Sequence, residues 1–170
     1  METVNLENNR LPVRKKNRLK EYDYSTNGAY FVTICTQNKQ CTLGSIVGDG
    51  SPVPKAAGRI AEKWIAEIPK RFPQAKVEAH IVMPNHIHLL MSLTRNEADK
   101  SSPPVSDMVA WYKYQVTKEI NAKKKTPGER FFQRSFHDHV IRGEKDYEKI
   151  WDYIHQNPLR WQMDCFYREE

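Results

Sequence analysis

A chain of 170 residues with 39% hydrophobic content is long enough for one domain with a core of its own. No apolar run approaches the ~18 to 20 residues of a membrane span, and no signal-peptide core stands near Met1, so the expected setting is the cytoplasm with no membrane partner. The formal charge of +6 points to a polyanionic partner, and three cysteines without C-x-x-C spacing (Cys35, Cys41, Cys165) read as reduced thiols rather than a disulfide framework.

The first twenty residues carry Arg10, Arg14, Lys15, Lys16, Arg18 and Lys20 among few apolar positions; they read as a basic arm, leaving 21–170 as a single domain. A strand follows at Ala29–Thr36, rich in β-branched and aromatic residues and launched from Thr26-Asn27-Gly28. Cys41–Val47 reads as a shorter strand ended by Gly48-Asp49-Gly50-Ser51-Pro52. Ile60, Ala61, Trp64, Ile65 and Ile68 lie at helical spacing within Gly58–Lys70, with Pro69 and Pro73 expected to close that helix. Strands are predicted around Val77–Met83 and His86–Ser92, separated by Pro84-Asn85, and a polar connection over Asn96–Pro104. From Val105, the positions Val105, Met108, Val109, Tyr112, Val116 and Ile120 share one helical face until Lys123-Lys124-Lys125-Thr126-Pro127-Gly128 stops it. Phe131–Arg142 reads as a strand or hairpin, and Glu144–Asn157 as a last helix ended by Pro158. This order describes an α+β sandwich with helices packed on a mainly antiparallel sheet.

Two segments carry chemistry. His86 and His88 stand two residues apart in an otherwise apolar run, so a strand places both imidazoles on one face while Ile87 and Leu89 point into the core. That pair is half of a divalent-metal site, or else two hydrogen-bonded histidines at a strand edge. A second H-x-H, His137-Asp138-His139, alternates less cleanly and is better read as a half-exposed strand. In the last helix Tyr147, Ile150, Trp151 and Ile154 form the apolar stripe, and at about 100° per residue Tyr153 and Asn157 are neighbours at its edge. Tyr153 is either one more packed aromatic or a phenol held against the sheet beside the imidazoles. A tyrosine hydroxyl, with a pKa near ~10, is a weak nucleophile until a divalent cation polarises the phosphate it attacks. Two imidazoles and the Asn157 amide oxygen leave positions open for phosphate oxygens, which suits Mg²⁺ or Mn²⁺.

Met83-Pro84-Asn85-His86-Ile87-His88-Leu89-Leu90 resembles the M-P-N-H-x-H signature of HUH single-tyrosine transposases, and Tyr153-Ile154-His155-Gln156-Asn157-Pro158 resembles the Y-I-x-x-N-P signature of their REP-associated branch. Phe132-Gln133-Arg134, Asp138-His139-Val140-Ile141-Arg142, Tyr22-Asp23-Tyr24 and Gly28–Thr33 are similar to that branch as well, so the resemblance spans about Leu19 to Trp161. It implies a ferredoxin-like domain in which His86 and His88 bind the metal and Tyr153 attacks single-stranded DNA folded into palindromic hairpins. Transposases of autonomous insertion sequences carry Gln four residues after the tyrosine, and Asn157 stands there instead.

Arg14, Lys15, Lys16, Arg18, Lys113, Lys118, Lys123, Lys124, Lys125 and Arg134 are the expected DNA contacts. The expected state is a free monomer in the bacterial nucleoid, with a homodimer as the alternative. Two rival readings stay open at this point. One is a hairpin-binding regulator with an idle site. The other is an H-x-H-x-H phosphohydrolase, which would need a third histidine where Leu90 stands. Tyr112 and Tyr114 are the alternative nucleophiles.

Overall fold

The computed structural model describes residues 26–94 and 103–168. The basic arm, with Arg14, Lys15, Lys16 and Arg18, lies outside the described residues, as do Tyr22-Asp23-Tyr24 and most of the polar connection before the second long helix.

Strands β1 (Gly28–Cys35), β4 (Ala75–Val82), β5 (His86–Leu93) and β6 (His137–Val140) form one sheet in the order β4-β5-β1-β6, with every neighbouring pair antiparallel. With helices α1 (Ala56–Arg71) and α2 (Val105–Lys124) as the crossovers, this is the split β-α-β arrangement of a ferredoxin-like domain. Alternation along β1 and β5 sends Tyr30, Val32, Ile34, Ile87, Leu89 and Met91 toward α1 and α2, where they meet Ile60, Ile65, Met108, Tyr112 and Val116 in the main core. The predicted stripe of α2 is buried at all six positions. Glu119 joins the two helices, accepting from the Trp64 indole N–H at 2.7 Å and from Lys63 at 2.8 Å.

Helix α3 (Glu144–Gln156) covers the opposite face, where Ile154 packs on Ala79 and Leu90 with Phe31, Ile81, Ile141, Tyr147 and Ile150 around them. Helices on both faces explain why β5 is enclosed along its length: seven of its eight residues are buried. They also explain how two histidines come to be enclosed on the α3 side.

Four local expectations are corrected. Pro69 does not close α1, which runs on to Arg71, with the Phe72 N–H donating to the Ile68 carbonyl; a proline this close to the end disrupts few helical bonds, and buried Ile68 and Phe72 hold the last turn down. The Cys41–Val47 strand shrinks to β2 (Gly44–Ile46), and it pairs with a strand the patterning missed, β3 (Pro52–Pro54), because prolines are tolerated on an edge. Phe131–Arg142 contributes only β6 plus a single bridge from Phe132 to Thr36. Trp151 leaves the buried stripe of α3 and stacks outward on His155, ring centres 4.7 Å apart.

Pro158 does not push Asn157 out of helical geometry either. Asn157 keeps φ −56° and ψ −43°, and a 3₁₀ turn over Pro158–Met163 follows directly. Proline is accommodated there because the first residue of a new turn needs no N–H donor. The consequence is a tight reversal that brings the segment after α3 back over the sheet.

The β2–β3 hairpin fixes the start of α1 through Gly58. A Cβ built at that position would collide with the backbone carbonyl oxygen of Leu43, which itself accepts from Lys55 N–H at 2.9 Å. Gly58→Ala is therefore expected to destabilise the fold by about 1–3 kcal/mol despite alanine's better helix propensity. Gly48→Ala, with open space around its Cβ, serves as the neutral comparison in urea denaturation. Equal midpoints for the two variants would show that the hairpin yields without cost.

Candidate active site

The register of β1 against β5 sets the site. Thr33 lies opposite His88 and Cys35 opposite His86, so the polar side chains of both strands share the face covered by α3. His86 and His88 are fully buried, with ring centres 4.5 Å apart. The strand-edge alternative fails on this observation, since β5 is an inner strand between β4 and β1.

Each imidazole is held from behind. Asn85 spends its amide nitrogen on two carbonyl oxygens, Lys39 at 3.1 Å and Phe166 at 2.8 Å. Its amide oxygen therefore faces His86 Nδ1 at 2.9 Å and must accept a proton from it, which leaves the lone pair on Nε2. The Thr33 hydroxyl, which can accept or donate, meets His88 Nδ1 at 2.8 Å. The Nε2 atoms of both histidines are buried without a partner among the described residues. Burial, with the nearby Lys39 ammonium, pushes the His86 pKa down to about 3; burial and then His86 push His88 well below the ordinary histidine value. Both rings are thus neutral, the form in which imidazole binds metal.

Helix α3 brings Tyr153 over this pair. The Tyr153 ring lies 5.2 Å from that of His88 and edge-on to Phe31 at 5.9 Å, while its side chain stays accessible at 39%. Asn157, one turn on, is buried, and its Oδ1 also lacks a partner. The reversal after Pro158 adds a residue that sequence reasoning missed. Asp164 Oδ2 accepts from Tyr153 Oη at 3.3 Å and from Asn157 Nδ2 at 2.9 Å, and stands 4.0 Å from His86 Nε2. Burial, followed by the Asp164 carboxylate, raises the Tyr153 pKa above its ordinary value, so the phenol is protonated. Phe166 then packs on His86, ring centres 4.7 Å apart, with the Lys39 ammonium 4.7 Å from the Phe166 ring centre.

His86, His88 and Asp164 offer ligand atoms that all lie within 4.8 Å of one another, a group able to hold a divalent metal ion. Two imidazole nitrogens and a carboxylate make a nitrogen and oxygen donor group without thiolate, which suits such an ion.

These elements can be set beside known proteins. The family model described as "Transposase IS200 like" matches residues 55–157. The chain belongs to the IS200-like transposase family. It is 31% identical over 170 aligned residues to an uncharacterized protein of Haemophilus influenzae, covering 91% of this chain and 93% of that one. It is 29% identical over 111 residues to a REP-associated tyrosine transposase of Escherichia coli, 59% of each chain. A solved structure of a REP-associated tyrosine transposase bound to a REP hairpin superposes with a TM-score of 0.60 at 21% identity, over 84% of this chain and 74% of that one. That last likeness supports the ferredoxin-like fold.

Within this member of the family the residues expected at the site divide into two groups. His86, His88, Tyr153 and Asn157 converge from β5 and α3. Lys113, Lys118, Lys123, Lys124, Lys125 and Arg134 lie on α2, its C-terminal end and the segment before β6. Lys123 pairs with Glu119 at 3.6 Å, and Lys113 donates to the carbonyls of Gln133 at 2.7 Å and Arg134 at 3.0 Å. Tyr112 is enclosed in the core with its hydroxyl donating to the Ala61 carbonyl at 3.2 Å. His139 pairs with Asp146 at 2.8 Å at the rim, as a half-exposed strand residue would. Among the described residues no helix is long and apolar enough to cross a membrane.

Proposed function

We propose that this transposase nicks and rejoins single-stranded DNA at REP-like palindromic hairpins through a 5′-phosphotyrosine at Tyr153. The observation that carries the reading is the partly exposed Tyr153 side chain set against two buried histidines whose Nε2 atoms have no hydrogen-bond partner among the described residues. His86 and His88 would hold Mg²⁺ or Mn²⁺, with Asn157 Oδ1 and Asp164 as oxygen donors. Such an ion, when bound, polarises the scissile phosphate and stabilises the departing oxygen.

The chain's own residues do the rest. Tyr153 Oη forms the bond to phosphorus and the P–O3′ bond breaks, leaving a free 3′-hydroxyl that takes its proton from water. The phenolic proton has the Asp164 carboxylate as its nearest acceptor. Phe31 and His88 fix the ring so that its oxygen is aimed rather than free to rotate. The ester keeps the energy of the phosphodiester, so attack by a 3′-hydroxyl can rejoin the strand. Lys118, Lys123, Lys124, Lys125, Lys113 and Arg134, with Arg14, Lys15, Lys16 and Arg18 of the arm, would contact the DNA backbone. His86, His88, Tyr153, Asn157 and Asp164 meet within one chain, which supports action as a monomer.

Incubating the protein and Mn²⁺ with a hairpin oligonucleotide labelled at its 3′ end is the direct test. A label that stays with the protein after denaturation is expected; tight hairpin binding with no adduct would instead favour the regulator with an idle site.

The backing of His86 leads to a measurable effect outside the reacting atoms. Asn85→Ala removes the acceptor that keeps the proton on Nδ1, and such supporting contacts are worth about 10–100-fold in metal affinity. Titration of cleavage with Mn²⁺ should show a midpoint raised by that factor with the plateau largely kept. An unchanged midpoint would mean that the tautomer is set elsewhere.

A further inference from the structure

A groove of about 990 Å³ runs between the outer side of α2 and the segment that precedes β6, at the upper end of the ~300–1,000 Å³ typical of ligand clefts. Its walls carry Lys113, Lys118, Lys125, Arg130 and Arg134 against a single acid, Glu129. Tyr114 stands in this groove with 60% of its surface exposed, and the Lys118 ammonium lies 5.9 Å from its ring centre. The ring contributes nothing to the core, since the buried stripe of α2 is Val105, Met108, Val109, Tyr112, Val116 and Ile120. An exposed phenol ring flanked by cations offers a face on which a flat group can stack and charges that suit its phosphates.

The groove also adjoins the site already described. One wall hangs from β1: Gln133 N–H donates to the Cys35 carbonyl at 3.0 Å, Gln37 N–H donates to the Phe131 carbonyl at 2.8 Å, and Phe132 bridges Thr36. Cys35 is the register partner of His86. Its thiol lies within electrostatic reach of Lys113 from the groove and of Asp164 from the site. The C-terminal end of β1 thus lies between the tyrosine site and the groove, a short way for a DNA strand to cross. Lys113 spends two of its three N–H donors on the Gln133 and Arg134 carbonyls, so it braces the wall while Lys118, Lys125, Arg130 and Arg134 remain at the rim.

We infer that this groove is a subsite for the unpaired nucleotides flanking the hairpin, in which Tyr114 stacks on a base and the surrounding cations neutralise its phosphates. The inference rests on the reading of the chain as a single-strand nuclease and deepens it by naming where the flank runs. Stacking on an aromatic is tolerant of base identity, so the subsite places the flank in register with Tyr153 and leaves sequence reading to other contacts.

Affinity measured for three probes tests this: a hairpin with an unpaired flank, the same hairpin with blunt ends, and an oligothymidylate strand. Tyr114→Ala is expected to weaken the flanked hairpin and the oligothymidylate by about fivefold or more and to leave the blunt hairpin unchanged, while Tyr114→Trp keeps all three. An exposed side chain with no core contact lets both variants fold, which thermal unfolding verifies. Equal weakening of blunt and flanked hairpins, or none at all, overturns the groove. Covalent adduct formation that ignores Tyr114 would overturn the subsite and leave the nuclease reading standing. Tyr114-dependent binding of the flank without any adduct would do the reverse, and failure to bind all three probes would overturn both.

Discussion

Replacing Tyr153 by phenylalanine is expected to abolish the protein–DNA adduct, a fall of about 10³-fold or more, while hairpin affinity stays within about twofold. Only the reacting oxygen is lost. The ring keeps its edge contact with Phe31 and its place over His88, and the 3.3 Å hydrogen bond to Asp164 is worth no more than about 1 kcal/mol at a partly exposed position. Gel separation after denaturation measures the adduct, and peptide mapping of the unaltered protein assigns it. An adduct that persists in Tyr153→Phe would move the nucleophile. Tyr112 is enclosed and its hydroxyl already donates to Ala61, so the only structurally accessible substitute on α2 is Tyr114.

Losing either histidine should be equally severe. His86→Ala and His88→Ala are each expected to remove detectable cleavage, because one remaining imidazole cannot hold a weakly bound divalent ion beside Tyr153. Both side chains are buried, so truncation also leaves a cavity, and loss of activity alone would not separate a metal role from a packing role. Metal-dependent stabilisation separates them. Wild-type protein in Mn²⁺ at about one hundred times its dissociation constant should gain about 2.7 kcal/mol, and a folded His88→Gln variant should gain much less. Asn157→Ala should retain cleavage at a raised metal requirement, since it removes one oxygen donor and leaves the imidazoles. Asp164→Asn keeps the shape but removes the charge, and is expected to slow cleavage at saturating metal. Cleavage by wild-type protein that survives a chelator would end the metal assignment.

The residues that sequence periodicity placed are those whose geometry is local. A strand alternates every second residue, so His86 and His88 had to share a face whichever partner strands flanked them, and Tyr153 and Asn157 had to be neighbours on any helix. The buried face of α2 was legible for the same reason, since six apolar positions at helical spacing leave one way to bury them. Even the antiparallel sandwich followed from element order.

What the tertiary structure decided depends on where separate segments meet. Asp164 lies in a stretch with no period of its own, and it reaches His86 only because Asn157 keeps helical angles and the 3₁₀ turn folds the chain back. The tautomer of His86 is set by an asparagine whose own orientation depends on carbonyls of Lys39 and Phe166, at sequence separations of 46 and 81 residues. Tyr114 and Tyr153 carry the same phenol; the motif around Tyr153 marked it as the candidate nucleophile, whereas the surroundings of Tyr114 did not show the groove it stands in. Packing of α3 on the sheet brings Tyr153 beside two buried imidazoles, and packing of α2 turns Tyr114 into a basic groove, because side-chain chemistry is local whereas encounters between segments are fixed by the whole fold.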